Sequence, residues 1–258
     1  MPFTICIANE KGGVAKTTTA ISLGASLAEK AKQVLLVDLD SQANLTLAAG
    51  VPIPRDQPTI AANLLEGLPL QQTSQATAFD HLSIIPSNHE ITKLEKLLPI
   101  QEGYTTLLHR LVNAVPQSTD FVVLDCPPVI GALTLNAITA ADLLVIPTQA
   151  EYFSINALRS MMRWIRQVRL TDNPKLLYRL LITMFDRRNR IHRALTEQIK
   201  ATFGTGLLNT MIEIDTRLRE STLAGIPITR NAPNSRAASQ YRDLANEIIS
   251  IREAERGE

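Results

Sequence analysis

The sequence predicts an α/β protein: a doubly wound, mostly parallel sheet flanked by helices. Two observations carry that expectation. Six short apolar blocks rich in β-branched residues, at 4–8, 34–37, 82–85, 121–124, 143–146 and 177–182, are nearly continuous rather than alternating. That is the pattern of parallel strands buried on both faces. Between and beyond them lie helix-compatible stretches at 17–30, 59–66, 89–98, 104–114, 131–140, 154–170 and 189–202. Strand–helix alternation of this kind winds a parallel sheet. Pro127-Pro128 and Pro147 are expected to end their strands. Residues 50–58 and 67–80, rich in Pro, Gln, Thr and Ser, read as surface connections around a short helix. A final helix is expected at about 236–252. Its Leu244, Ile248 and Ile251 fall at i, i+4 and i+7, the spacing of a stripe that docks on a core. Residues 1–258 are therefore expected to form a single domain with a C-terminal docking helix.

Composition fits a substantial core. The chain has 258 residues, 45% of them hydrophobic and only 4% aromatic, so branched aliphatics must fill the interior. No apolar run approaches the length needed to span a bilayer. The first strand starts at once, so no signal peptide and a cytoplasmic location are expected. Cys6 and Cys126 both sit in apolar strand contexts and are expected to be inert core thiols. The net charge of +1 hides an asymmetry. Residues 1–152 hold 8 Lys and Arg against 14 Asp and Glu, whereas 153–258 hold 18 against 11. Arginine supplies 16 of those 18 cations. Such a bias points to a polyanionic partner met through guanidinium groups.

The most informative segment is Lys11-Gly12-Gly13-Val14-Ala15-Lys16-Thr17-Thr18. It joins the first strand to the first helix, the arrangement of a phosphate-binding loop. Glycines let backbone N–H groups turn toward an anion, and the helix points its positive end at the same place. Lys16 can reach β- and γ-phosphates, and the Thr17 hydroxyl can ligate Mg²⁺. The second block, 34–44, ends in Asp38-Leu-Asp40, which puts two carboxylates at the carboxyl edge of the sheet. The third, Phe121-Val-Val-Leu-Asp125-Cys-Pro-Pro, reads as a Walker B strand whose Asp125 holds Mg²⁺ through water opposite Thr17. Arg187, Arg188, Arg190 and Arg193 place four guanidinium groups within seven residues, and Arg217 and Arg219 add to the same half. Nearby acids are few (Asp186, Glu197) and aromatics do not interleave. Phosphate contact without sequence readout is the expected mode.

These motifs together resemble the deviant Walker A class of P-loop NTPases, the ParA/MinD family, over roughly residues 3–250. The lysine opening the loop, Lys11, is the feature that marks the class. The resemblance implies that Lys11 crosses a dimer interface to the partner's nucleotide. Ala15 stands where the family pattern has glycine. Asp38 through Asn44 resembles the family's Asp-x-Asp-Pro-Gln-Gly-Asn switch, with Ser41 and Ala43 replacing Pro and Gly. Asp40 then aligns with the acid that positions or activates water, and Asp38 is structural or near Mg²⁺. Asp125 through Ala137 resembles the Walker B and second switch region. In Gln149-Ala-Glu151-Tyr, Glu151 is open to two readings, a solvated loop acid or a member of the dimer face. The segments 183–188 and 212–227 resemble loops that flank adenine in the family, which brings in Met184 and Glu213.

The resemblance implies an ATPase of the short chromosomal ParA type that uses ATP and Mg²⁺. It implies a homodimer that sandwiches nucleotide, binds DNA non-specifically on the nucleoid, and releases it when a ParB-like or cargo-adaptor protein stimulates hydrolysis. A MinD-like membrane-cycling ATPase is the alternative. It calls for a basic amphipathic C-terminal helix, whereas this tail carries Glu253, Glu255 and Glu258. An electron-transfer ATPase resembling the nitrogenase iron protein calls for cysteines at a dimer face, which Cys6 and Cys126 do not supply. A chain that binds ATP without useful turnover is a third reading, prompted by Ala15.

Overall fold

Along the central strands, successive apolar side chains enter two different cores. Phe121 and Val123 join one; Val122 and Leu124 join the other, and all four are fully buried. A strand buried on both faces has no polar side to show, so its sequence loses the period of two.

The computed structural model describes residues 1–151 and 154–257; Tyr152 and Glu258, singled out in the sequence, lie outside the described residues. The elements in chain order are β1 (Phe3–Ile7), α1 (Lys16–Ala28), β2 (Val34–Asp38), α2 (Asn44–Ala48), α3 (Ile60–Glu66), α4 (Leu70–Thr73), β3 (Gln75–Ala76), β4 (Leu82–Ile85), α5 (Leu94–Leu97), α6 (Leu107–Asn113), β5 (Phe121–Asp125), α7 (Ala132–Ala140), β6 (Leu143–Gln149), α8 (Ser154–Thr171), β7 (Leu177–Phe185), α9 (Arg190–Phe203), β8 (Leu207–Glu213), α10 (Thr216–Ala224), α11 (Ile228–Asn231) and α12 (Arg236–Arg256). The sheet order is β3-β4-β2-β5-β1-β6-β7-β8. Every described pairing is parallel except β3 with β4. The doubly wound α/β fold read from the sequence is the fold of the chain.

One core lies between the sheet and α3, α6, α7, α8 and α9. The other lies under α1, α2, α11 and α12. Helix α12 begins at Ser235, whose Oγ accepts the Ala238 N–H at 3.0 Å, the usual work of an N-cap serine. It buries Ala237, Ala238, Tyr241, Leu244, Ala245 and Ile248. Tyr241 is completely buried and its hydroxyl lies 3.3 Å from Thr19 Oγ1 on α1. The apolar stripe of this helix is thus occupied by the core. No helix among the described residues is long and apolar enough to cross a membrane.

Three sequence expectations need correction. Pro147 does not end its strand: β6 continues to Gln149 and pairs with β7 over its whole length. Pairing with β1 stops at Val145, so the N–H that Pro147 lacks falls where that ladder has already ended. Residues 67–80 are not all loop, since α4 and β3 lie there. The edge strand β8 has no counterpart among the expected blocks. Asn209 and Thr210 interrupt its apolar run, and only part of it is buried, as an edge strand permits.

Candidate functional site

The central strand sets the site. β1 has β5 on one side and β6 on the other, and the register pairs Ile7 with Asp125 and Asp38 with Asp125. The loop after β1, Asp125 and Asp38 therefore leave the same carboxyl edge side by side. Open parallel sheets bind ligands at such an edge.

The loop is locked from below. Asn9 is buried, its Nδ2 donates to the Pro147 carbonyl at 2.7 Å, and its Oδ1 accepts the Lys11 N–H at 3.0 Å. The Val14 carbonyl accepts the Thr183 hydroxyl at 3.1 Å. Gly13 (φ 73) and Ala15 (φ 66, ψ 36) are left-handed. No side chain caps the N-terminus of α1, so the N–H groups of Lys16, Thr17 and Thr18 are open to an anion. Ala43, the other alanine at a family glycine, is also left-handed (φ 52). A non-glycine residue there is strained. Ala15→Gly is therefore expected to stabilise the protein by roughly 0.5–1 kcal/mol, read by denaturant unfolding; unchanged or lower stability would show that the loop carries no strain at this residue.

Gly12, Gly13, Ala15, Lys16, Thr17 and Thr18 line a cleft of about 510 Å³ with Asp40, Ser41, Gln42, Asn44 and Pro127 to Val129. Lys16 is 8% exposed and its Nζ donates to the Lys11 carbonyl at 3.1 Å. Burial lowers its pKa, opposed by Asp125. Asp125 is fully buried and neither carboxylate oxygen has a hydrogen-bond partner among the described residues. Burial, then the charge of Asp38, push its pKa well up; the nearby Thr17 hydroxyl and Lys16 ammonium oppose the rise. A buried carboxylate with no partner is costly unless a cation faces it. With Thr17 and the open helix end beside it, the donor set fits a hydrated Mg²⁺ on a phosphate chain.

Asp38 is committed elsewhere. Its Oδ2 accepts the Thr46 N–H (2.8 Å) and hydroxyl (2.7 Å), and its Oδ1 accepts the Asp40 N–H (3.1 Å). Burial raises its pKa to about 6 against those bonds. These bonds tie Asp38 to α2 and to the Asp40 turn. Asp40 itself is partly exposed, and its Oδ1 accepts the Gln42 N–H at 3.0 Å.

Lys11 turns along its own chain, donating to Gln149 Oε1 (3.0 Å) and Glu151 Oε2 (2.5 Å). Gln149 Nε2 also meets the Gly13 carbonyl (3.3 Å) and Met184 Sδ (2.7 Å). Met184, left-handed at φ 52, is thus joined to the loop through Gln149. Glu213 does not line the phosphate cleft. It is 4% exposed, Oε1 meeting Arg187 (2.7 Å) and Gln240 (2.9 Å) and Oε2 meeting Arg236 (3.0 Å). Its side chain ties β8 to the mouth of α9 and to α12.

The expectation that acids are scarce around the arginines also needs correction. Arg187 pairs with Glu213, Arg188 with Asp186, and Arg217 with Asp215. Arg217 holds the Asp215 carboxyl below its usual range against the upward push of partial burial. Arg190, Arg193 and Arg219 are exposed and make no ion pair among the described residues. Sequence reasoning missed Asn9, whose neighbours at Pro147 are far along the chain. It also missed Glu95, which accepts the Ala132 and Leu133 N–H groups at 2.7 and 3.3 Å and so caps the helix after the Walker B strand.

Comparison with known proteins decides the family. The sequence model of a family described as AAA domain matches residues 3–178. The sporulation initiation inhibitor protein Soj of Bacillus subtilis is 36% identical over 247 residues, covering 95% of this chain and 98% of Soj. The chromosome partitioning protein ParA of Myxococcus xanthus is 35% identical over 246 residues, covering 95% of this chain and 87% of its own. This chain belongs to the ParA-type ATPase family. Among solved structures, cobyrinic acid a,c-diamide synthase from Mycobacterium smegmatis with bound ATP analog and magnesium superposes with a TM-score of 0.88 at 29% identity, covering 100% of this chain and 97% of that one. As a ParA-type chain, this one departs from the family pattern at Ala15 and Ala43, and both keep the left-handed backbone that glycine would adopt.

Cys6 and Cys126 are free, buried thiols with Sγ atoms 3.5 Å apart. No cluster of three or more His, Cys, Asp or Glu suited to a metal occurs among the described residues.

Proposed function

We propose that this chain is an ATP-dependent, dimerising ATPase that binds DNA without sequence preference and positions or segregates DNA or another cargo, with a ParB-like or cargo-adaptor protein stimulating turnover. The observation that carries the reading is the cleft itself. A left-handed glycine loop, an uncapped helix end, a buried lysine and an unpartnered buried carboxylate meet there.

In this reading residues Gly12 to Thr18 hold the phosphates, with Lys16 on the β/γ pair. Thr17 and Asp125 would hold the magnesium ion, Asp125 through water, and the ion would offset charge on the phosphates. Asp40 positions the attacking water from the turn that Asp38 fixes. Lys11 leaves Gln149 and Glu151 and reaches the partner subunit's phosphates. Both members of the Lys11–Glu151 pair are substantially exposed. Such a pair is worth at most about 1 kcal/mol, so releasing it is a small obstacle to closure. Met184, joined to the loop through Gln149, borders the base in this reading. Docking of the α12 stripe into the core favours this reading over the MinD-like one, which needs a free amphipathic face.

Arg190, Arg193 and Arg219 are the first candidates for phosphate contact. Arg187, Arg188 and Arg217 must first give up their carboxylates. The test is fluorescence anisotropy on two unrelated duplexes with ADP, ATP and a slowly hydrolysed analogue, across a salt series. Binding is expected with ATP or the analogue only, equal on both duplexes. Arg190→Glu/Arg193→Glu/Arg219→Glu should abolish it while leaving ATP-driven dimerisation intact. Replacing one contacting arginine should reduce the log–log salt slope by about one. Strong preference for one duplex, or binding indifferent to nucleotide, would sink the proposal. Binding to vesicles in place of DNA would favour the membrane alternative.

A further inference from the structure

Helices α8 and α9 bury side chains in the same core on one face of the sheet and flank a groove of about 410 Å³. Leu158 and Ile199 are buried at its floor, and Met162 and Phe203 stand half-buried in its walls. Arg159, Arg163 and Arg166 rim it on the α8 side, all exposed. They fall at i, i+4 and i+7, so they form one row about 10 Å long on a single helix face. Their neighbour Arg169 is tied down: it donates twice to the Leu176 carbonyl, at 2.8 and 2.6 Å, and lies over the Tyr178 ring. The three rim arginines make no ion pair among the described residues. The groove shares no residue with the phosphate cleft.

An apolar floor beside a row of unpaired cations is an amphipathic surface. We propose that the α8–α9 groove receives an amphipathic helix from a partner protein, one whose apolar side chains enter the groove and whose flank carries acidic residues. A helix laid into a groove presents apolar anchors at i, i+3, i+4 and i+7. Carboxylates on the adjoining face then repeat at the same spacing as the arginines and meet guanidinium groups in charge-assisted pairs. Duplex phosphates would satisfy the arginines but would leave Met162 and Phe203 against a polar backbone. The surface stands independently of the nucleotide reading.

The probe is a labelled helical peptide of about five turns with Leu at i, i+3, i+4 and i+7 and Glu along one flank, beside a twin carrying Lys for each Glu. The acidic peptide is expected to bind the full chain and the basic twin is not. Arg159→Glu/Arg163→Glu/Arg166→Glu should weaken the acidic peptide about tenfold or more, roughly 1.4 kcal/mol, and confer binding of the basic twin. Met162→Asp should weaken the acidic peptide as well. These rim positions are exposed, so an unchanged thermal melt is expected, and nucleotide binding serves as the control. Four results would overturn the proposal: no binding of the acidic peptide, equal binding of the two peptides, indifference to the charge reversal, or loss of duplex binding or of self-association in the charge-reversed chain with the peptide unaffected.

Discussion

Asp40→Ala is expected to bind ATP and dimerise while turning it over on the order of 10²–10⁴ times more slowly. The side chain stands at the rim of the cleft, held at Oδ1 by the Gln42 N–H, on a turn whose own support comes from Asp38. In the proposed function, removing it takes away the carboxylate that positions water and leaves the phosphate loop, Thr17 and Asp125 in place. Single-turnover phosphate release measures the loss. Wild-type turnover would assign Asp40 to the structure of the turn. The neighbouring Asp38→Ala should behave differently. It leaves the buried Thr46 hydroxyl and N–H without their acceptor and should lower stability itself.

The two lysines should separate. Lys16→Ala removes a buried cation from the phosphate loop and should lose both nucleotide affinity and turnover. Lys11→Ala should keep most of its affinity, because in its own subunit Lys11 faces Gln149 and Glu151 and not the cleft. Its turnover should fall by on the order of 10³, the scale of a cation supplied to a phosphoryl transition state from a partner. The split between Kd and kcat is the readout. Equal loss of affinity in both variants would place Lys11 in its own subunit's site. Wild-type turnover in Lys11→Ala would remove the crossing lysine from the mechanism.

The phosphate loop, the Walker B strand and the sheet's buried strands were legible in the sequence because each is a local pattern. Lys11 to Thr18 lies between an apolar strand and a helix, and Asp125 closes an apolar run. What escaped depends on distant contacts or on context. Asn9 acts through Pro147 and Glu95 through Ala132, pairs 138 and 37 residues apart. Pro147 looked like a strand end because its tolerance depends on where the β1 ladder stops. β8 was hidden by Asn209 and Thr210, which an edge strand can expose. The arginine run looked free of acids because Glu213, partner of Arg187, is 26 residues away in sequence and on another strand. Ala15 and Ala43 carried a legible clue, alanine where the family pattern has glycine, and the structure gives both the left-handed backbone that pattern implies.

Light scattering of Asp40→Ala with magnesium and saturating ATP, beside the same chain with ADP, reaches the central claim most directly. The slow variant holds the nucleotide long enough for the assembled state to accumulate. A doubling of mass with ATP alone, abolished by adding Lys16→Ala, is the result expected of two subunits closing on their nucleotides. A monomer at saturating ATP, or a dimer of the same mass with ADP and with ATP, would contradict it.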